Sequence, residues 1–378
     1  MLTRKTDTVQ IMKALSVHAG PKALKALRAH GLRPQDVAII PAAAGGPKGL
    51  VLNPLDRFLF ADWLAGSQQV VHLLGASIGA WRMATACLQD PDKAFVQMAD
   101  DYITQQYRHA PGRSPRPEHV SEVFGAKLLQ RFGGRERQVL AHPRYRLHVF
   151  TSRGLHLLRR EGRLRTPLGY LGAFAANAMS RKAMGGWLER VVFSDPRDPL
   201  PLYLHGYRTH RVALSAANLC PGLLASCSIP FLLSAVHDIP GAPSGAYWDG
   251  GITDYHLHLN YAGMRVEPDS PDGTPAELVL YPHFQNTVIP GWLDKTLKHR
   301  HRATAHLDNV VLVAPTDEWI RSLPNGKLPD RGDFKTYIDD APARIAAWTR
   351  AVRESERLRD EFADWLRLGP AAPVESLP

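Results

Sequence analysis

Two short apolar runs, each opening through glycine into helical sequence, limit most sharply what this chain can fold into. Val37–Ala42 (VAIIPA) and residues 70–74 (VVHLL) are rich in branched aliphatic side chains and short for helices, so both read as buried strands. The first leads into the glycine loop Ala44-Gly45-Gly46-Pro47-Lys48-Gly49, after which Asn53-Pro54 supplies N-cap and first-turn chemistry for a helix over 55–64. The second leads into the turn Gly75-Ala76-Ser77-Ile78-Gly79, followed by helical sequence over 78–88. Further strands are expected at 146–151, 211–215, 277–281 and 310–314. Strands alternating with helices predict an α/β fold whose mostly parallel sheet is covered on both faces.

Residues 9–31 read as helical and basic, with a break at Gly20-Pro21. Asp340-Ala341-Pro342 starts a long charged helix ending near Leu368. Its apolar residues Ile345, Trp348, Val352, Leu358, Phe362 and Trp365 recur every three or four positions apart from one gap of six. Pro/Gly-rich stretches at 111–117, 240–245 and 268–275 read as loops. The expected organisation is an N-terminal helical segment at 1–36, a core at 37–265, and a C-terminal extension at 266–378 of strands plus the long helix, packed on the core. No internal repeat is visible.

With 44% apolar and 22% charged residues the chain is globular, which excludes wholesale disorder. Its formal charge of +10 favours an anionic partner: a phospholipid surface, nucleic acid or an acidic substrate. Three cysteines, Cys87, Cys220 and Cys227, are too few for a disulfide framework and fit a reducing, cytoplasmic compartment. The start at residues 1–7 has no apolar run behind its basic residues, unlike a secretory signal. The uncharged stretches 63–81 and 212–237 are interrupted by polar residues, glycine or proline, and read as buried core rather than membrane spans.

Three pieces carry chemistry. Gly75-Ala76-Ser77-Ile78-Gly79 is a G-x-S-x-G turn between a strand and a helix, a context that holds Ser77 outward beside a helix N-terminus. In the loop Ala44–Gly49, adjacent glycines let backbone amides point at one spot, as an oxyanion hole needs. A phosphate-binding P-loop would require Gly-Lys-Ser/Thr in that order, whereas Lys48 precedes Gly49 and Leu50. Tyr247-Trp248-Asp249-Gly250-Gly251 sets a carboxylate between aromatics that desolvate it and glycines that allow close backbone approach; an Asp-Gly turn is the plainer reading of that segment alone.

In this order AGGPKG, GASIG and DGG resemble the patatin-like phospholipase family, whose pattern is G-G-G-x-R/K-G, then G-x-S-x-G, then D-G-G/A. Ala225-Ser226-Cys227-Ser228-Ile229-Pro230-Phe231 is similar to the small-residue segment preceding the aspartate in that family. The likeness spans residues 37–260. It implies a three-layer α/β/α fold and a serine lipid acyl hydrolase of phospholipase A or carboxylesterase type, acting through an acyl-enzyme without metal or cofactor. Ser77 would be the nucleophile and Asp249 its proton acceptor. The amides of Gly45 and Gly46 would form the oxyanion hole, and Gly75, Gly79, Lys48, Gly49, Gly250 and Gly251 complete the motifs. Two positions depart from the pattern: Ala44 replaces the first glycine, and Pro47 has no N–H to donate.

Other readings stand beside this one. His256 and His258 follow Asp249 in the chain order of a Ser-Asp-His triad, and together with Asp254 would share one face of an extended segment, an arrangement that suits a metal, although three ligands from one short strand are unusual. No H-E-x-x-H sequence is present. Residues 144–165 hold seven arginines and one acidic residue, and 295–302 (KTLKHRHR) are a second basic cluster. These suit peripheral contact with anionic lipid, or a plain solvated face; nucleic acid is not expected, because no recognition fold or stacking aromatics accompany the charge. The uncharged stretch 166–180 reads as a lid, an interface element or a core helix. Within the acyl-transfer class, a small-ester or thioester hydrolase and an acyltransferase remain open. Outside it stands a membrane-surface binding or scaffolding protein of the same fold with weak or lost catalysis.

Overall fold

The structure, a computed structural model, describes residues 13–265 and 277–378. Among these, eleven strands join in one sheet: β1 Leu15–Ala19, β2 Val37–Ala42, β3 Val71–Ala76, β4 Tyr145–Gly154, β5 Leu188–Ser194, β6 Thr209–Ala213, β7 Val236–His237, β8 Ala246–Asp249, β9 Leu278–Pro282, β10 Val310–Pro315 and β11 Glu375–Ser376. The main order is β11-β1-β10-β9-β2-β3-β4-β5-β6, with β7 and β8 branching from it. Neighbours along that order run parallel except at β1/β10 and β4/β5. β2, β3, β9 and β10 are buried along their whole length, as strands covered by helices on both faces must be. The fold is α/β with a mostly parallel central sheet and flanking helices. Trp81, Trp248, Trp319 and Trp348 are fully buried within it.

The longest strand positions the site. One edge of β4 pairs in parallel with β3 over residues 145–150, and the same edge then pairs antiparallel with β8 over 151–153. Ala76 lies opposite Phe150 and Asp249 opposite Thr151, which are consecutive residues of β4. The C-terminal ends of β3 and β8 therefore meet head-on. The residue that follows Ala76 and the last residue of β8 face each other across one strand step of about 3.3 Å.

Two sequence-based expectations change, and one strand goes unpredicted. Leu15–Ala19 is a buried strand paired with β10, not the start of a helix; the helix begins at Pro21, behind the break at Gly20. Pairing with a strand some 300 residues later outweighs local periodicity there. β5 (LERVVFS) escapes detection because charges interrupt it. Both are buried as partners: Glu189 receives Arg153 and His210, and Arg190 meets Asp254 at 2.6 Å. The C-terminal helix is two helices, Ala341–Glu354 and Glu356–Arg367. The break at Ser355 falls within the one gap in the apolar spacing. The first half packs on Gly46–Leu52 and Pro91–Ile103, the second on Asn53–Phe58 and β1.

β9 and β10, from the C-terminal extension, lie in the same sheet as β2. Among the described residues no helix is long and apolar enough to cross a membrane. The loop expected at 268–275 and the N-terminal residues 1–12 fall outside the described residues.

Candidate active site

Ser77 sits between β3 and the helix Ile78–Ala86 with φ 57° and ψ −130°, a conformation that costs a non-glycine residue about 1–3 kcal/mol. Neighbouring contacts hold it. Its amide donates to Ser226 Oγ at 2.9 Å, and that hydroxyl donates to the Phe150 carbonyl at 2.7 Å. The turn is close because two glycines let backbones touch. A Cβ on Gly75 would lie 2.3 Å from Ala80 Cα, and one on Gly79 would lie 1.9 Å from the Ala42 carbonyl oxygen. Arg82 on the same helix forks both nitrogens onto Asp56 at 2.7 Å, bracing it against the helix that follows the glycine loop.

The Ser77 hydroxyl donates to Asp249 Oδ2 at 2.6 Å, and both residues are buried. The other carboxylate oxygen accepts the Gly251 amide at 2.7 Å. The Asp249 backbone is fixed on both sides: its amide donates to the Ser228 carbonyl, and Ser152 Oγ donates to its carbonyl. Burial raises the Asp249 pKa to about 6, against the opposing pull of the Ser77 and Gly251 hydrogen bonds and of Arg331 and Lys295. A carboxylate in this range is a better base near neutrality than an ordinary aspartate.

In the glycine loop, the Ala44 amide donates to the Tyr255 carbonyl at 2.8 Å. The Gly45 and Gly46 amides donate to no group among the described residues. Gly46 has φ 57°, and a Cβ on Gly45 would fall 2.5 Å from the Phe284 ring. Pro47 stands in the first turn of the short helix Gly46–Leu52, where a missing N–H costs nothing. Ala44 thus gives its amide to Tyr255, and Pro47 occupies a position that needs no donor. A Cβ on Gly251 would meet Ala44 Cβ at 2.6 Å, so the loop and the aspartate turn also touch.

A cavity of ≈ 20 Å³ lies over the pair, bounded by Gly45, Gly46, Ser77, Asp249, Tyr255 and Arg331 among others. It has room for about one water molecule. It adjoins a cavity of ≈ 380 Å³ that shares Gly46, Ser77, Ile229 and Arg331 and is walled by Tyr102, Phe124, Leu233, Phe334 and Ile338. That volume falls within the range of about 300–1,000 Å³ usual for small-molecule sites. A larger cleft of ≈ 1250 Å³, bordered by Cys87, Asp90 and Arg131, includes none of the motif residues.

Lys48 stands half-buried with Nζ 5.5 Å from the Phe284 ring centre. Two further cations reach the site that no motif foretold. Lys295 Nζ lies 4.1 Å over the Tyr255 ring, and Arg331 borders both cavities. Lys295 belongs to the 295–302 basic cluster, which gave a signal of charge without a direction; Arg331 lies in a loop with no local pattern at all.

The histidines take other places. His256 is buried, its Nδ1 accepts the Ile289 amide at 3.0 Å, and burial holds its pKa well below the ordinary imidazole range. His258 is likewise pushed down by burial, to about 4. No histidine borders the small cavity over Ser77 and Asp249. Asp254 is engaged by Arg190, and no cluster of three metal-ligating side chains occurs among the described residues.

No family model matches the sequence, and no curated protein does. Among solved structures the chain is similar to human GIVD cytosolic phospholipase A2, at 11% identity and a TM-score of 0.39, over 95% of this chain and 66% of that one. It is similar to VipD from Legionella pneumophila at 12% identity and a TM-score of 0.32, over 96% and 75% of the two chains. The type III effector protein ExoU follows at 14% identity and a TM-score of 0.27, over 92% and 59%. The chain thus spans just under two thirds of the first of these. Scores this low carry no conclusion about this chain.

Proposed function

We propose that the chain is a patatin-like serine acyl hydrolase acting on lipid or other carboxylic esters. The observation that carries this reading is the 2.6 Å hydrogen bond from Ser77 Oγ to Asp249, at a cavity also bordered by Gly45 and Gly46, whose amides donate to no group among the described residues. Ser77 Oγ attacks the ester carbonyl carbon while its proton passes to Asp249 Oδ2. The tetrahedral oxyanion faces the two glycine amides, each worth ~3–4 kcal/mol in such a transition state. Collapse expels the alcohol, which takes the proton from Asp249. A water molecule, for which the small cavity has room, then loses its proton to Asp249 and attacks the acyl-enzyme, and Asp249 returns that proton to Ser77 Oγ as the acid leaves. The apolar cavity beside Ser77 suits the acyl chain.

A fluorophosphonate probe is expected to label Ser77, located by peptide mass mapping. Ser77→Ala is expected to abolish labelling and to lower p-nitrophenyl ester hydrolysis at least ~1,000-fold in a folded protein. Folded wild-type protein that neither labels nor hydrolyses any ester would favour a scaffolding role instead.

The helix Arg165–Met179 supports contact with an anionic membrane. One face buries Gly169, Tyr170 and Ala173, and the opposite side leaves Leu168, Leu171 and Phe174 exposed at 55%, 64% and 46%. Exposed Arg159, Arg160, Arg163 and Arg165 sit at its N-terminal end. Tyr170 packs edge-on against Phe231 at 5.9 Å, and Phe231 is both exposed and part of the wall of the larger cavity. An apolar face rimmed with arginine, continuous with the mouth of the acyl cavity, fits a lipid surface. Paired substitution of Leu168 and Leu171 by glutamate is expected to weaken binding to phosphatidylserine-containing vesicles at least ~10-fold in a sedimentation assay, since each buried leucine is worth ~1.5–3 kcal/mol.

A further inference from the structure

The cations beside Ser77 differ from most others in the interior, among which Arg344 donates to the backbone carbonyls of Ile103 and Gln105. Arg82, Arg190, Arg181 and Arg300 each meet a carboxylate. Lys295 and Arg331 form no ion pair among the described residues, yet both are half-buried. They flank one aromatic surface: Lys295 Nζ is 5.9 Å and the Arg331 guanidinium carbon 5.8 Å from the Trp292 ring centre. Trp292 and Arg331 both border the small cavity over the Ser77–Asp249 pair. The acid that acts on Lys295 is Asp249, and it is committed to Ser77 and Gly251. Lys48 faces Asp330, whose carboxylate also receives Lys327, so its charge is partly answered.

Unpaired cations are costly to hold away from water unless an anion visits them. Burial and the neighbouring positive charges of Arg331 and Lys48 lower the Lys295 pKa to about 7, so an arriving anion would restore its full charge. A guanidinium fork beside an ammonium point charge matches the several oxygens of a phosphate. Arg331 borders both cavities at Ser77, and Lys295 stands over Tyr255, which lines the smaller one.

We propose that Lys295 and Arg331 form a subsite for the phosphate group of the ester substrate, holding a charged head group beside Ser77 while the acyl chain enters the apolar cavity. This rests on the acyl-hydrolase reading and names the substrate feature that site selects. The ester bond is thereby set between a polar and an apolar anchor, and the chain's preference runs toward phosphate-bearing esters over neutral esters of the same acyl length.

The test compares kcat/KM on a glycerophospholipid with kcat/KM on a neutral glyceride of the same acyl chain, in one detergent. Lys295→Gln and Arg331→Gln are each expected to lower the ratio of the two about 10- to 100-fold, Arg331→Lys to recover part of it, and Lys298→Gln, an exposed lysine of the same cluster, to leave it unchanged. A ratio unmoved by Lys295→Gln and Arg331→Gln overturns the subsite, and an equal fall with Lys298→Gln reduces it to general surface charge and overturns it too. A separate arm titrates glycerol 3-phosphate, inorganic phosphate and glycerol into Ser77→Ala protein by calorimetry. Binding of glycerol 3-phosphate that is lost with Lys295→Gln supports the subsite even if no ester is turned over, so the two readings fail independently. Tighter binding of inorganic phosphate than of glycerol 3-phosphate counts against a head-group site.

Discussion

Asp249→Asn is expected to stop ester hydrolysis and, above pH 6, to make the protein more stable. The first half follows from the proposed dyad: an amide cannot take the Ser77 proton, and loss of a general base costs about 100- to 10,000-fold in rate. The second half follows from burial. The Asp249 pKa stands near 6 in the folded chain against an ordinary value of 3.8. A group raised in this way contributes stability that is full below pH 3.8 and is lost as pH rises through 6, in all up to ~3 kcal/mol. An asparagine carries no such loss, and its Oδ1 can still accept the Gly251 amide. Repairing the contact to Ser77 takes back part of the gain, leaving ~1–2 kcal/mol. Urea midpoints at pH 8 and pH 4 check this: the variant should exceed wild type at pH 8 and match it at pH 4. Wild-type hydrolysis should fall as pH drops below about 6, because the carboxylate must be ionised to act. A variant that keeps full turnover removes the dyad; one that is less stable at pH 8 removes the account of a strained, buried charge.

Gly79→Ala is expected to be one of the most damaging single-methyl additions among the described residues. The added Cβ would lie 1.9 Å from the Ala42 carbonyl oxygen and 2.9 Å from that of Ala43. Both are backbone atoms at the end of β2, a strand paired on either side with β3 and β9, so neither side chain rotation nor a local loop shift makes room. The expected cost is ~3 kcal/mol or more, together with loss of activity, since the helix after Ser77 must move away from the glycine loop. Gly66→Ala is the control: a Cβ there meets nothing within 4 Å, and its effect should stay within ~0.5 kcal/mol. Equal denaturation midpoints for the two variants would show that the close approach at Gly79 is not what shapes the turn.

The pieces of the candidate site are legible in the sequence because each one is a local backbone demand. Glycine at 75, 79 and 46 marks places where chains touch or φ turns positive, and those constraints are written in residue type alone. The strands at Val37–Ala42 and Val310–Pro315 were legible for the same kind of reason, as apolar runs buried on both faces. β1 and β5 were not, because pairing with β10 and ion pairs to Arg153 and Asp254 decide them from a distance.

Which pieces meet was a matter of register. Ser77 and Asp249 are 172 residues apart in the chain, and only the length of β4, pairing first with β3 and then with β8, brings their side chains within 2.6 Å. The Ala44 amide is taken up by Tyr255, and Lys295 and Arg331 reach the cleft from segments without a motif, through contacts that no neighbouring residue announces. The sequence by itself determined the turns, because steric limits on φ and ψ act between adjacent residues. The tertiary structure decided the assembly and its charge, because hydrogen-bond register and desolvation depend on residues far away in the chain.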